Sequence, residues 1–276
     1  LMRQGMYLKA LGKSITDFSK DGCFNLAASM SFFSILSIVP LSLLIIGLFG
    51  HFLGENEKLY QFILTRLINL FPAVTNGITS ELKNVITHKG ISMLMIFVYG
   101  FLSLQLFYSM EHAMDAIFKV PKKRHFLISI LWSILTITLV IVFLMLSFSM
   151  SSVAGLFKEY PVIILGFEIS YAAGIFLKYI APFVLVLLTF TAVYLIVPRI
   201  SVSWKNAFIG ALLVTVMWEL AKYFFTWYVR RSIYIGAIYG SLTAFIVFLL
   251  WVYYFCCIFL FGAEFVSNLN NKKNNA

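Results

Sequence analysis

Charge is scarce in this chain, and that scarcity excludes a soluble fold. Asp, Glu, Lys and Arg make up 12% of its 276 residues, against about 25% in ordinary soluble domains. Hydrophobic residues make up 61%, which leaves too little polar surface to cover a water-exposed globule. Acid is scarcer than base, 11 residues against 21. The +10 balance could suit nucleic acid. Basic loops that set membrane orientation and meet anionic headgroups explain it better, so no nucleic-acid partner is expected. Cysteine is limited to Cys23, Cys256 and Cys257. No CxxC and no Cys/His ligand spacing occur, which excludes a zinc site or a disulfide framework. The adjacent Cys256 and Cys257 point apart on a helix and cannot pair. Histidine is equally thin: His51, His88, His112 and His125 fall on loops of opposite sides. They form no converging set of the kind metal-dependent hydrolysis needs. No Ser/His/Asp arrangement and no nucleotide-binding motif is present either. Neither enzyme activity nor a cofactor or metal is expected.

Long apolar runs are what the chain has in quantity. A bilayer core needs about 20 apolar residues per helix, and six segments reach that length: 25–50, 91–110, 126–154, 174–197, 207–228 and 241–266. The expected fold is all-α, a polytopic bundle of six transmembrane helices occupying 23–267. Pro40 and Pro182 fall inside two spans, where proline removes a backbone hydrogen bond and kinks the helix. With both termini cytoplasmic, Arg3, Lys9, Lys13, Lys20, Lys119, Lys122, Lys123, Arg124, Arg199, Lys205, Lys272 and Lys273 lie inside. Seven basic residues then lie outside, and this asymmetry fixes the orientation.

The flanks read differently. Before the first span, Leu8, Leu11, Ile15 and Phe18 recur at helical spacing, with Lys9, Lys13 and Lys20 elsewhere on the wheel. Gly22 suits a helix stop. Residues 1–22 are therefore expected to form an interfacial helix on the inner leaflet. The external loop 51–90 carries a second amphipathic pattern in Leu59, Ile63, Leu67 and Leu70. The start of the stretch 161–198 reads as a short interfacial segment, and the polar tail 268–276 as disordered. The first apolar run is long and lacks a small-residue cleavage site, so it is expected to stay as a membrane helix.

One polar stripe crosses an apolar helix. Thr215, Glu219, Lys222, Thr226 and Arg230 follow spacings of four, three, four and four, which stacks them on one helical face. A charge near a bilayer centre costs roughly 2.5–3.5 kcal/mol, so such residues face protein or water. The stripe, with Arg231, is read as a substrate path or gate; a structural ion pair between Glu219 and Lys222 is the competing reading. A second polar set, Gln105, Ser109, Glu111, His112 and Asp115, is either an inner vestibule or a solvated helix end with an Asp115–Lys119 pair. Ser31, Ser34 and Ser37, and the Gly236, Gly240, Ala244 series, are assigned to close helix packing.

Several ordered motifs resemble one family. The run from Ala27 to Pro40 (AASMSFFSILSIVP) resembles the first-span signature of the YihY/BrkB membrane proteins. Trp218 to Tyr223, Ile238 to Leu242 around Gly240, and Leu260 to Phe265 with Glu264 are similar to further family motifs. So is Phe107 to Phe118, with Glu111 and Asp115. The resemblance covers nearly the whole chain. It implies a six-helix bacterial inner-membrane protein with cytoplasmic termini. Some members carry a ribonuclease label, which finds no catalytic cluster here; others are linked to virulence or to transport of lipopolysaccharide precursors. The leading expectation is a multi-pass transporter or flippase for an amphipathic, anionic envelope lipid, with membrane lipids as partners. A proton- or cation-coupled antiporter using Glu219, and a non-transporting scaffold, are the alternatives.

Overall fold

The computed structural model describes residues 2–37, 93–120, 180–231 and 243–274, with Ile128, Trp132, Leu135, Gly240 and residues 163–164 and 167–168 besides. The expected third span, apart from three of these residues, lies outside that set. So do the loop 51–90, Pro40 and Gly236. Among the described residues the helices are α1 (Met2–Lys20), α2 (Cys23–Ser37), α3 (Met93–Ile117), α4 (Ala181–Ile196), α5 (Trp204–Arg231) and α6 (Thr243–Asn274). One departure from an all-helical fold is a minimal antiparallel hairpin, β1 (Ile163–Ile164) and β2 (Phe167–Glu168). Its register pairs Ile163 with Glu168 and Ile164 with Phe167. By length and composition, Trp204–Tyr228 of α5 and Phe245–Asn271 of α6 can cross a bilayer, and Cys23–Ser37 and Ala181–Ile196 are shorter apolar helices.

Local chemistry fixes the helix ends. Gly22 takes φ 69°, a left-handed conformation that costs glycine no Cβ clash, and it stops α1 as its sequence position suggests. Its carbonyl then accepts the amides of Asn25 (2.9 Å) and Leu26 (3.1 Å), opening α2. The end of α3 is built the same way without glycine. Lys119 sits at φ 53°, the Val120 amide reaches the Asp115 carbonyl at 3.1 Å, and the Lys119 amide reaches Ala116 at 3.3 Å. This is the paired bonding of a Schellman stop. Pro182 is the second residue of α4 as described. Ile180, just before the helix, is itself helical (φ −75°, ψ −45°), and the residues preceding Ile180, on which the expected kink depends, lie outside the described set.

The chain forms two compact units. One comprises Leu1–Asp21, Met114–Leu220 and Ile258–Ala276; the other comprises Gly22–Ala113 and Ala221–Cys257. In the first, α5 and α6 pack through glycine. A Cβ on Gly210 would strike Val266, and one on Gly262 would strike both Val214 and the Tyr194 hydroxyl. Tyr194 stacks on Phe259 with ring centres 5.4 Å apart and donates its hydroxyl to the Phe259 carbonyl at 2.7 Å. Helix α1 joins them: Ala10 packs with Phe265 and Leu269, beside Tyr7, Leu11, Ile209 and Leu213. Phe18 meets Phe261 edge-on at 6.1 Å. The tail expected to be disordered is therefore α6 as far as Asn274. Its helical spacing of Phe261, Phe265 and Leu269 keeps an apolar face on α1 past residue 266.

In the second unit, Phe225 of α5 lies against Trp251 of α6 with ring centres 4.5 Å apart. Two serines of α2 bond back within their own helix, Ser31 Oγ to the Ala28 carbonyl at 2.8 Å and Ser34 Oγ to that of Met30 at 2.7 Å, and Ser34 also hydrogen-bonds the Cys256 side chain of α6. Such back-bonding shields the hydroxyl in an apolar segment. The described close helix contact sits at Gly210 and Gly262. Gly240 has open space around its Cβ position, and its φ of 54° is what requires glycine there.

Candidate functional site

Helix α5 carries the whole polar stripe on one continuous backbone, but its environment changes along the way. Thr215 is fully buried, and its hydroxyl donates to the Ala211 carbonyl at 2.8 Å. Glu219 is half-buried and Lys222 is exposed. Thr226 is exposed too, and its hydroxyl donates to the Lys222 carbonyl at 2.7 Å. Arg230 and Arg231 occupy the last two helical positions. Both threonines thus spend their protons on their own helix, and the charged members stand toward its carboxyl end. Around them Tyr223, Phe224, Trp227 and Tyr228 are exposed. Phe208, Leu212, Val216 and Leu220, four residues apart, continue an exposed apolar stripe toward the amino end. Ala207, Ala211 and Val214 are buried. This is the sidedness of a helix with one face on protein and one on lipid.

The second predicted set divides. On α3, Ser109 and Glu111 are buried, Gln105 is half-buried and His112 is exposed. Asp115 does not pair with Lys119. It meets Arg199, with Nη1 and Oδ2 3.0 Å apart, and Lys119 instead approaches Asp21 at 3.5 Å. The left-handed turn at Lys119 is the reason. It takes the lysine off the helical track on which residues four apart meet, and turns it toward the α1–α2 corner.

These two ion pairs belong to a closed polar ring in the first unit. Asp21, after α1, holds Lys119 at the end of α3. Asp115 of α3 holds Arg199 in the α4–α5 connection. Within that connection the Ser201 carbonyl accepts the Asn270 side-chain amide at 3.2 Å. Asn268, two residues earlier on α6, donates to Ser14 Oγ at 3.2 Å and Asp17 Oδ2 at 3.1 Å, returning to α1. Ser267 adds a bond to the Ile117 carbonyl at 3.3 Å, satisfying a helix-end acceptor of α3. Glu264, in a family-like motif, is buried in the same stretch of α6; Asn268 and Asn270 fall in the tail expected to be disordered, and Ser267 at the edge of the expected membrane domain. The continuing apolar spacing through Leu269 was the signal that could have found them.

Asn268 closes the ring with two bonds from one amide, so its removal has a defined effect. Asn268→Ala leaves Ser14 and Asp17 without that donor, which costs about 1–3 kcal/mol for buried groups. The expected result is a lower thermal midpoint in detergent and faster tryptic cutting after Lys13 and Lys20. Unchanged midpoint and cutting would mean that α1 is held by its apolar contacts alone.

Comparison with known proteins places the chain among membrane proteins. It is 28% identical over 264 residues to a UPF0761 membrane protein of Nitrosospira multiformis, covering 92% of this chain and 59% of that protein. It is 32% identical over 261 residues to one of Legionella pneumophila, with 91% and 59% covered. A Coxiella burnetii relative is 29% identical over 255 residues, with 91% and 89% covered. The chain thus spans about three-fifths of the length of the first two relatives. No solved structure matches it. Residues 14–276 match the virulence factor BrkB family, and a match over so much of the sequence, on a helical chain with two membrane-capable helices, makes this protein a member of that family.

Proposed function

We propose that the chain is a six-span inner-membrane protein, with both termini cytoplasmic, that moves an amphipathic, anionic envelope lipid without enzymatic chemistry, cofactor or nucleic acid. The polar ring supports the topology. In the six-span order the α1–α2 turn, the end of α3, the α4–α5 connection and the end of α6 all fall on the cytoplasmic side. An odd number of crossings between any two of them would separate partners that touch.

Lys222 carries the functional reading. Trp204, 61% exposed at the start of α5, suits an interfacial aromatic on the inner side. From there Lys222 lies 18 residues on, about 27 Å along the helix, nearly the full thickness of a roughly 30 Å bilayer core. It therefore belongs near the outer headgroups, with Trp227, Tyr228, Arg230 and Arg231, rather than at the midplane. An exposed cation among exposed aromatics at that depth suits a lipid phosphate. Glu219, about 22 Å along by the same rise, is less well placed to carry protons through the centre.

The test is native mass spectrometry of retained lipids, paired with transbilayer movement of a fluorescent anionic phospholipid in proteoliposomes. The variant Lys222→Ala/Arg230→Ala/Arg231→Ala is expected to lose the anionic lipid and most of the movement. Retained lipid and movement in that variant, with pH-dependent flux abolished by Glu219→Gln, would replace the lipid reading by the antiporter.

A further inference from the structure

We propose that α1 is a docking surface for an anionic bilayer leaflet, with Leu8 and Ile15 entering the headgroup–acyl boundary and Lys9, Lys13 and Lys20 meeting lipid phosphate. This adds a lipid contact on α1 to the one on α5, and it holds whether or not the bundle moves lipid.

Helix α1 has three sectors rather than the two of a simple amphipathic helix. At about 100° per residue, Tyr7, Ala10, Leu11, Ser14, Asp17 and Phe18 form one arc. That arc is occupied by α5 and α6 through the Ala10 cluster, the Phe18–Phe261 contact and the Asn268 bonds. Next to it stand Leu8 and Ile15, 72% and 60% exposed, with no protein covering most of either side chain. Farther round, beyond the small side chains of Gly12, Thr16 and Ser19, come the three exposed lysines. Lys13 also lies 3.9 Å from Asp17, but its side chain is 55% exposed, so that pair leaves it open to solvent and headgroups.

The depth of the helix is fixed by a different observation. Helix α1 packs beside Ile209 and Leu213 of α5, five and nine residues beyond Trp204. At 1.5 Å per residue these lie about 7 and 13 Å past that exposed tryptophan. Amphipathic helices rest with their apolar face roughly 5–10 Å into the boundary between headgroups and acyl chains. The protein contact thus holds α1 at the level where Leu8 and Ile15 reach acyl chain and the lysines remain among headgroups. The charge selects the leaflet: lysines near an anionic surface are attracted to it, and a zwitterionic surface offers none of that attraction.

Single labels on the full chain test this. With Cys23, Cys256 and Cys257 changed to Ala, Leu8→Cys and Lys9→Cys are each labelled with an environment-sensitive fluorophore. The protein is then placed in vesicles containing brominated phosphatidylcholine, with and without phosphatidylglycerol. Quenching several-fold stronger at position 8 than at position 9, and strengthened by phosphatidylglycerol, is expected. Lys9→Gln/Lys13→Gln/Lys20→Gln in the Leu8→Cys background, which leaves the protein-facing arc intact, should lose the phosphatidylglycerol gain. Equal quenching at the two positions overturns the proposal, and so does quenching indifferent to phosphatidylglycerol. Loss of outer-side lipid movement in the Lys222 variant with α1 quenching intact would separate the two sites.

Discussion

Gly262→Leu is expected to abolish recovery of folded protein. A Cβ alone at that position meets Val214 of α5 and the Tyr194 hydroxyl of α4, so the remaining carbons of leucine have nowhere to go. Val214 and Tyr194 are fully buried, and neither is a flexible side-chain tip that could swing away at little cost. Inserting even one or two methylenes into a packed site costs about 1–3 kcal/mol. Four carbons at a three-helix contact exceed that, and native stability is itself only about 5–15 kcal/mol. Gly262→Ala should survive with a clearly lowered thermal midpoint in detergent. Tyr194→Phe, which removes the hydroxyl that donates to Phe259, should fold and partly relieve Gly262→Ala in a double variant. If Gly262→Leu gives normal yield and midpoint, α5 and α6 do not meet at these glycines.

The second large effect is expected at the Asp115–Arg199 pair. Only 9% of the arginine side chain and 20% of the aspartate side chain are accessible, so each leaves a nearly desolvated charge behind when the other is removed. Breaking a buried pair from one side costs about 3–5 kcal/mol. The residual exposure of Asp115 sets the expectation for Arg199→Ala near the lower end of that range. The mirrored change Asp115→Ala takes the carboxylate from the more deeply buried side chain and should be the worse of the two. The double change Asp115→Ala/Arg199→Ala should lose clearly less than the sum of the two single changes, because the second substitution no longer breaks the pair. Thermal unfolding of the four proteins in one detergent measures this cycle. Additive losses, with the double variant as weak as the sum of the singles, would show that the two side chains do not depend on one another.

How far the sequence could lead depended on the range of each interaction. The helical character of α1, its stop at Gly22, and the apolar helices α2, α4, α5 and α6 follow from local periodicity and from one residue's tolerance of positive φ. Those are short-range properties. The shared face of Thr215, Glu219 and Lys222 was likewise legible, since four-residue spacing settles it. Their different surroundings were not, because burial depends on which helix arrives beside them. Asp115 shows the limit most clearly. Spacing pairs it with Lys119 four residues on, but a left-handed turn at a lysine, where glycine would be the usual signal, removes that partner. Arg199, from a connection far along the chain, takes its place. The asparagines after residue 266 misled through composition. Polar and repetitive, they resemble a disordered tail, yet Leu269 between them keeps the apolar spacing that docks them on α1.

The ring also sets an order of assembly. Asn268 and its acceptors on α1 are 254 and 251 residues apart in sequence, so α1 depends on a helix made much later for its polar partners. At about 5–20 residues per second of synthesis, α1 waits roughly 13–50 s before Asn268 exists. During that interval Ala10, Ser14 and Phe18 have no α6 to cover them. A ribosome stalled or a message cut within α6 would leave α1 with its protein-facing arc bare. Such a chain carries the exposed apolar surface by which quality-control proteases and chaperones recognise unfinished membrane proteins.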